Sequence, residues 1–205
     1  MPDMQPPPVV VLASRSAARA ALLRGAGVAF AQAEAVVDEA GVREALRAEE
    51  VSVEDAAVVL AELKAELVAG RAGEGALVLG ADQILDLDGE WLEKPGGRAE
   101  ARAQLLKLRG RRHRLVSAAV AFRNGARVWH HVGAAEVWVR PFGEEFLESY
   151  LDEVGESVLG SVGAYHLEGL GAQLMSRVEG DFFTILGLPL LPVLQCLRDQ
   201  GVLRA

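Results

Sequence analysis

The chain of 205 residues holds a single cysteine, Cys196. One thiol excludes an internal disulfide and any multi-cysteine metal site, and near the carboxy terminus it reads as a small apolar packing residue. A chain without disulfides suits a reducing compartment, so the expected location is the cytoplasm. Long apolar runs are also missing, and no stretch approaches the length of a membrane-spanning helix. The opening MPDMQPPPVVVLAS lacks the basic segment and extended apolar run of a secretory signal. Its prolines instead predict a disordered leader over residues 1–8. Positive charge is scarce, with a formal net charge of −8, which argues against nucleic acid as a partner. A small anionic ligand stays compatible with that balance if a local basic cluster or a bound metal offsets the repulsion.

Several chemical signatures are absent too. No glycine-rich sequence of the Walker type occurs, and Gly169-Leu-Gly171 is not followed by the third glycine of a dinucleotide fingerprint. His130 and His131 fall in a strand-like stretch, where neighbours point to opposite faces, so they do not form a metal pair. No internal repeat, low-complexity tract or long linker interrupts the chain.

What is present is a globular composition. Apolar residues make up 51% of the chain, and this length buries a core without covalent staples. Val9 to Ala13 reads as a buried strand and Ser14 to Leu23 as a helix that stops at Gly25-Ala-Gly27. Val28 to Val37 reads as a second strand, followed by an acidic, alanine-rich stretch to Glu54. Asp55 to Val68 has helical spacing, with Ala56, Val59, Leu60, Leu63 and Leu67 on one stripe and Lys64 at its edge. Ala76 to Ala81 reads as a strand ending at Asp82, and Leu85 to Trp91 as a hairpin about Asp88-Gly89. Ala99 to Leu108 is helical. Leu115 to Phe122 and Ala126 to Val139 pair around Asn124-Gly125. Helices follow over Phe142 to Leu151 and, with proline near the first turn, Pro189 to Arg198. Alternating strands, helices and hairpins give a mixed α/β class.

Four segments carry chemistry. In LASRSAAR, residues 12 to 19, a strand ends and serines cap a helix, which presents backbone amides and the positive end of the dipole to phosphate oxygens. Arg19 adds a fork for a bidentate contact. In GADQ, residues 80 to 83, Asp82 stands where open α/β sheets bind ligands. In EKP, residues 93 to 95, Lys94 returns towards Asp82 across the hairpin. GLPL, residues 187 to 190, shapes a loop. Taken singly, each has a plain structural explanation: a cap, a turn carboxylate, a solvated lysine, a bend. The basic run Lys107 to Arg114, KLRGRRHR, reads best as a solvated loop before a strand.

Their order is more telling. L-A-S-x-S near the start, Val37-Asp38-Glu39, the Lys64-Ala65 step, Gly80-Ala81-Asp82, Glu93-Lys94-Pro95, Gly110 through His113, Gly163-Ala164-Tyr165 and Gly187 to Leu190 together resemble the Maf family over residues 9 to 195. The resemblance implies an α/β, Maf/ITPase-like two-lobed fold with a long mixed sheet and a central cleft, as a single domain over residues 9–205. It implies hydrolysis of a nucleoside triphosphate to monophosphate and pyrophosphate, a divalent cation (Mg²⁺ or Mn²⁺), a homodimer and a house-cleaning role on non-standard nucleotides. Asp82 is the implied base, Lys64 and Lys94 the catalytic cations, Ser14, Arg19, Gln83 and Glu168 substrate contacts, and Glu39 with Asp82 the metal ligands.

This chain departs from the family pattern at several of these places. Many relatives read S-P-R-R where this chain has Ser16, Ala17, Ala18 and Arg19, so one arginine is replaced by Ala18. Many read D-K-A-G-A-Y-x-I-Q-G where residues 160 to 169 read G-S-V-G-A-Y-H-L-E-G, so Ser161 replaces a lysine and Glu168 a glutamine. Gln83 stands in place of threonine. These changes point to a divergent branch whose substrate differs from the usual pyrimidine triphosphates. They also keep open a second reading, a nucleotide-binding regulator of cell division with little or no turnover.

Overall fold

A computed structural model describes residues 9–204, so the expected leader over 1–8 lies outside the described residues. Seven strands among the described residues form one mixed sheet in the order β2-β1-β3-β5-β6-β7, with β4 paired to β3. The mixed α/β class read from the sequence is the class observed. Contacts divide the chain into two compact units: residues up to Asp82, Ser117–Gly133 and those from Gly187 on, and Gln83–Val116 with Ala134–Leu186.

The first unit begins with β1 (Val10–Ala13), which pairs in parallel with β2 (Ala31–Ala33) on one side and with β3 (Leu77–Leu87) on the other. The strand expected over Val28 to Val37 is thus cut to three residues. Its only partner in the sheet order is the short β1, and ladder hydrogen bonds cannot extend past the partner's end. Between β1 and β2 runs α1 (Ala17–Gly25). Between β2 and β3 come α2 (Glu39–Ala48) and α3 (Val53–Ala69). Ser52 caps α3 by accepting from the Asp55 backbone N–H, and Glu54 and Asp55 place negative charge at the positive end of its dipole.

The buried face of α3 differs from the stripe read from its leucines. Leu67 is exposed, while Ala57, Ala61, Lys64 and Ala65 are buried beside Ala56 and Leu60. Gly80 on β3 explains the rotation. A Cβ there would lie 2.1 Å from the Ala61 carbonyl oxygen and 2.8 Å from the Ala65 Cβ. Bare glycine against an alanine face lets helix and strand backbones approach closely, and that approach buries Lys64. The last helix, α7 (Leu190–Asp199), follows Pro189 and carries the buried Cys196. Burial, with Asp199 nearby, pushes that thiol up to about 11, so it packs as an inert apolar group.

The second unit holds β4 (Glu90–Leu92), α4 (Arg98–Leu108), α5 (Glu144–Val154), β7 (Met175–Gly180) and α6 (Phe182–Ile185). The long strands β5 (Arg112–Arg123) and β6 (Ala126–Val139) contribute their segments on either side of the hairpin. Asp88-Gly89 and Asn124-Gly125 turn their hairpins with positive φ at both central residues, the geometry whose twist matches the flanking strands. Residues 155–174 form short 3₁₀ turns. Without helical or alternating apolar spacing they gave no readable element, and the exposed side chains of β7 hid that strand for the same reason.

The basic run beside β5 is neutralised within this unit. Lys107 pairs with Glu90, Arg111 with Asp88 and Arg112 with Glu136. His113, 1% exposed, shares a 2.7 Å hydrogen bond with the Tyr165 hydroxyl. Burial lowers the His113 pKa from 6.5 to about 4.

Two stability tests follow from these contacts. Gly80→Ala is expected to cost about 1–3 kcal/mol or more by overpacking, read as a lower urea midpoint; an unchanged midpoint would contradict the close α3 approach. The unfolded state binds a proton on His113 near pH 6.5, whereas the folded state resists until about pH 4. Stability from this group is therefore complete above 6.5 and falls by about 3 kcal/mol as pH drops to 4. His113→Gln is expected to flatten that part of the pH–stability curve, and an identical slope in both proteins would refute it.

Candidate active site

Asp82 is 3% exposed and lies within β3, five residues before its end, so the strand does not stop there as the sequence suggested. The strand runs on through Ile84 and Leu85, and Asp82-Gln83 only interrupts its apolar sequence. Successive side chains on a strand alternate, so Asp82 shares a face with Gly80. That face meets α3, and Lys64 reaches Asp82 Oδ1 at 2.6 Å. The glycine that admits the helix thus also sets the length of the ion pair two residues on.

The other oxygen of Asp82 accepts from Arg43 Nη2 at 2.9 Å. Glu39 repeats the arrangement: Lys64 Nζ lies 2.9 Å from its Oε1 and Arg43 Nη2 lies 3.7 Å from its Oε2. The four side chains form a closed ring of alternating charge, Asp82–Lys64–Glu39–Arg43. Asp38 caps α2 by accepting from the Gly41 N–H, which starts the helix with Glu39 in its first turn. Glu39 and Arg43 are then one turn apart on one face. The Asp82, Lys64 and Arg43 side chains are nearly sealed from water, whereas that of Glu39 is 42% exposed.

Arg43 was not singled out from the sequence. It sits in the stretch read only as acidic and alanine-rich, and it is the one residue of α2 that is buried, at 6% exposed. The half-buried Val42 and Leu46 form a short apolar pair on this helix, and a charged residue beside that pair reads from sequence as solvated. The available signal was the Glu39–Arg43 spacing.

Ser14 and Arg19 join the same unit. Ser16 caps α1 by accepting from the Arg19 N–H. The Ser14 hydroxyl oxygen accepts from the Ser16 N–H and from Arg19 Nη1, both at 3.2 Å, which leaves its own proton to donate. Gln32 donates to the Ser14 carbonyl at 2.7 Å and pins the end of β1. Arg19 Nε donates to the Gly187 carbonyl at 2.7 Å, so the GLPL loop orients the guanidinium. Burial pulls the Arg19 pKa below its ordinary value while Asp82 and Glu39 pull it up and Arg43 opposes them. Arg19 stays charged at any physiological pH. Arg19, Arg43 and Lys64 against Asp82 and Glu39 leave one positive charge in excess, within an acidic protein.

The remaining sequence candidates lie in the second unit. The Gln83 side-chain amide donates to the Thr184 and Ile185 carbonyls, both at 3.0 Å, and so ties β3 to α6. Lys94 is exposed on the segment after β4, where Gln104 holds the Glu93 carbonyl at 2.9 Å. Glu168 is exposed, with His166 Nδ1 at 3.8 Å. Ser161, at the family's lysine place, donates to the Tyr165 carbonyl at 2.7 Å and closes a turn.

The Maf-like protein family model matches residues 9–200. The chain belongs to the Maf family. Similar relatives include the nucleoside triphosphate pyrophosphatase of Paramagnetospirillum magneticum, 56% identical over 94% of this chain and 99% of the relative. That of Rhodospirillum rubrum is 50% identical over 96% of each chain. The 7-methyl-GTP pyrophosphatase of Rhizobium meliloti is 48% identical over 97% of this chain and 99% of the relative. Among the described residues of this Maf family member, no helix is long and apolar enough to cross a membrane.

The ring makes a thermodynamic prediction. Lys64→Met leaves a buried carboxylate with one partner fewer and is expected to cost about 3–5 kcal/mol. In a double-mutant cycle with Asp82→Asn, the two losses are expected to fall well short of adding. Strict additivity in urea unfolding would mean that the pair is not coupled.

Proposed function

We propose that this Maf family member hydrolyses a nucleoside triphosphate to the monophosphate and pyrophosphate, with Asp82 as the base. The observation that carries the reading is the sealed carboxylate of Asp82, held between Lys64 and Arg43 in the unit that also holds the α1 N-terminus. Water attacks the α-phosphorus in line, the bond to the bridging oxygen of the β-phosphate breaks, pyrophosphate leaves, and Asp82 takes the water proton. The first turn of α1, the free proton of the Ser14 hydroxyl and the Arg19 fork present donors to phosphate oxygens without reorganising. Lys64 is fixed between two carboxylates, so its charge is already in place when phosphate charge develops.

Glu39, open to solvent, supplies a hard oxygen donor, and Asp82 would supply a second on releasing Lys64 or Arg43, which hold its two oxygens. No group of three or more potential metal-ligating side chains comes together among the described residues. This donor set fits Mg²⁺ or Mn²⁺ held by one or two carboxylates together with substrate phosphates, rather than by a dedicated cage. When bound, such an ion neutralises phosphate charge. For Lys94, Gln83 and Glu168, a role in catalysis or substrate contact rests on the family resemblance alone. Similarity to the 7-methyl-GTP pyrophosphatase of R. meliloti supports a methylated purine triphosphate as a substrate, in line with the departures at Ala18, Ser161 and Glu168.

The test is pyrophosphate release from a panel that includes 7-methyl-GTP, dTTP and UTP, with Mg²⁺, Mn²⁺ or chelator. Asp82→Asn is expected to lower turnover by about 10²–10⁴-fold, and chelator to abolish it. Absence of turnover with every substrate, alongside retained nucleotide binding, would replace the enzyme with a nucleotide-binding regulator. Best turnover with dTTP and UTP would overturn the divergent-substrate reading.

A further inference from the structure

Arg43 has a donor that the ring does not use. Its side chain is almost wholly buried, yet Nη1 has no hydrogen-bond partner among the described residues. Nη2 alone reaches Asp82, and the 3.7 Å separation from Glu39 is too long for a hydrogen bond. Guanidinium carries five N–H donors and no acceptor, and buried polar groups in folded proteins are as a rule paired. An unpaired charged nitrogen in the same cluster as Arg19 and Lys64 lacks an anionic acceptor. The planar fork of arginine matches two oxygens side by side, and phosphate supplies them.

We propose that Arg43 is a phosphate-binding residue of this site: Nη2 stays on Asp82 while Nη1 donates to an oxygen of the bound triphosphate. The inference rests on the proposed triphosphate site and deepens it. Asp82 acts as the orienting partner, since its hydrogen bond fixes the plane of the guanidinium before ligand arrives. Access comes from α2 itself. Glu39 stands one turn before Arg43 on that helix, and its side chain, 42% exposed, opens the ring to solvent on the side of Arg43. One side chain thereby ties the base to the phosphate chain, and a displaced phosphate displaces the base with it.

The test uses the full-length chain and inorganic tripolyphosphate, which carries the phosphates without base or sugar. Calorimetric Kd is measured for wild type, Arg43→Gln and Arg43→Lys, with KM and kcat for a nucleoside triphosphate and a thermal unfolding scan. Arg43→Gln is expected to raise Kd and KM together by about 10- to 100-fold, the range for a lost hydrogen bond to a charged group. Arg43→Lys keeps the charge but has one nitrogen for two partners, and its Kd is expected to lie between those of the other two. A tripolyphosphate Kd unchanged in Arg43→Gln, with kcat alone reduced, would show that Arg43 only positions Asp82 and would overturn the proposal. If Arg43→Gln fails to fold, an unchanged Kd in Arg43→Lys overturns it equally, as does a wild type that does not bind tripolyphosphate. Arg43-dependent tripolyphosphate binding without pyrophosphate release would leave this inference standing while the hydrolase reading falls.

Discussion

Two carboxylates and two cations, each touching both members of the opposite pair, hold the first unit's chemistry in place. None of the three buried members tolerates burial alone, because an unpaired charge in a low-dielectric interior costs several kcal/mol. Together they balance one another's charge, although Arg43 keeps a donor that the ring does not use. The ring also joins three separate stretches of chain: α2 through Glu39 and Arg43, α3 through Lys64, and β3 through Asp82. Removing any one corner leaves a charge that the others cannot compensate.

The ring depends in turn on a backbone contact without polar character. Gly80 admits the alanine face of α3 against β3, and the period-two geometry of the strand then presents Asp82 to the same helix. Packing density and ion-pair length are set by the same approach. This coupling explains how a lysine is buried: the close approach of α3 to β3 brings its ammonium against two carboxylates. In the second unit, the charged run from the end of α4 into β5 has the opposite character, with exposed arginines on partner carboxylates and, of its charged and titratable residues, only His113 drawn into the core.

Most of the regular elements were legible. Hairpin turns at Asp88-Gly89 and Asn124-Gly125, and the helices with strong apolar spacing, follow from local stereochemistry that needs no tertiary partner. Residues 155–180 were not, since 3₁₀ turns and an exposed edge strand carry neither a 3.6 nor a 2.0 period. The buried face of α3 departs from its leucine stripe because leucines outweigh alanines in any hydrophobic pattern, whereas the observed face is chosen by what Gly80 allows. β2 was overextended because its length is limited by β1, not by its own residues.

For the site, Ser14, Arg19, Glu39, Lys64 and Asp82 could be named from their order along the chain, which also determined the family. Taken singly, a serine cap, a strand carboxylate and a helical lysine have plain local explanations, so it is their order, and the resemblance that order carries, that points to them. The tertiary structure alone decided that both oxygens of Asp82 are engaged, that Gly187 orients Arg19, and that Arg43 completes the ring. A hydrogen bond between residues 39 positions apart is a property of how α2 and β3 meet, and no local pattern along the chain encodes that meeting.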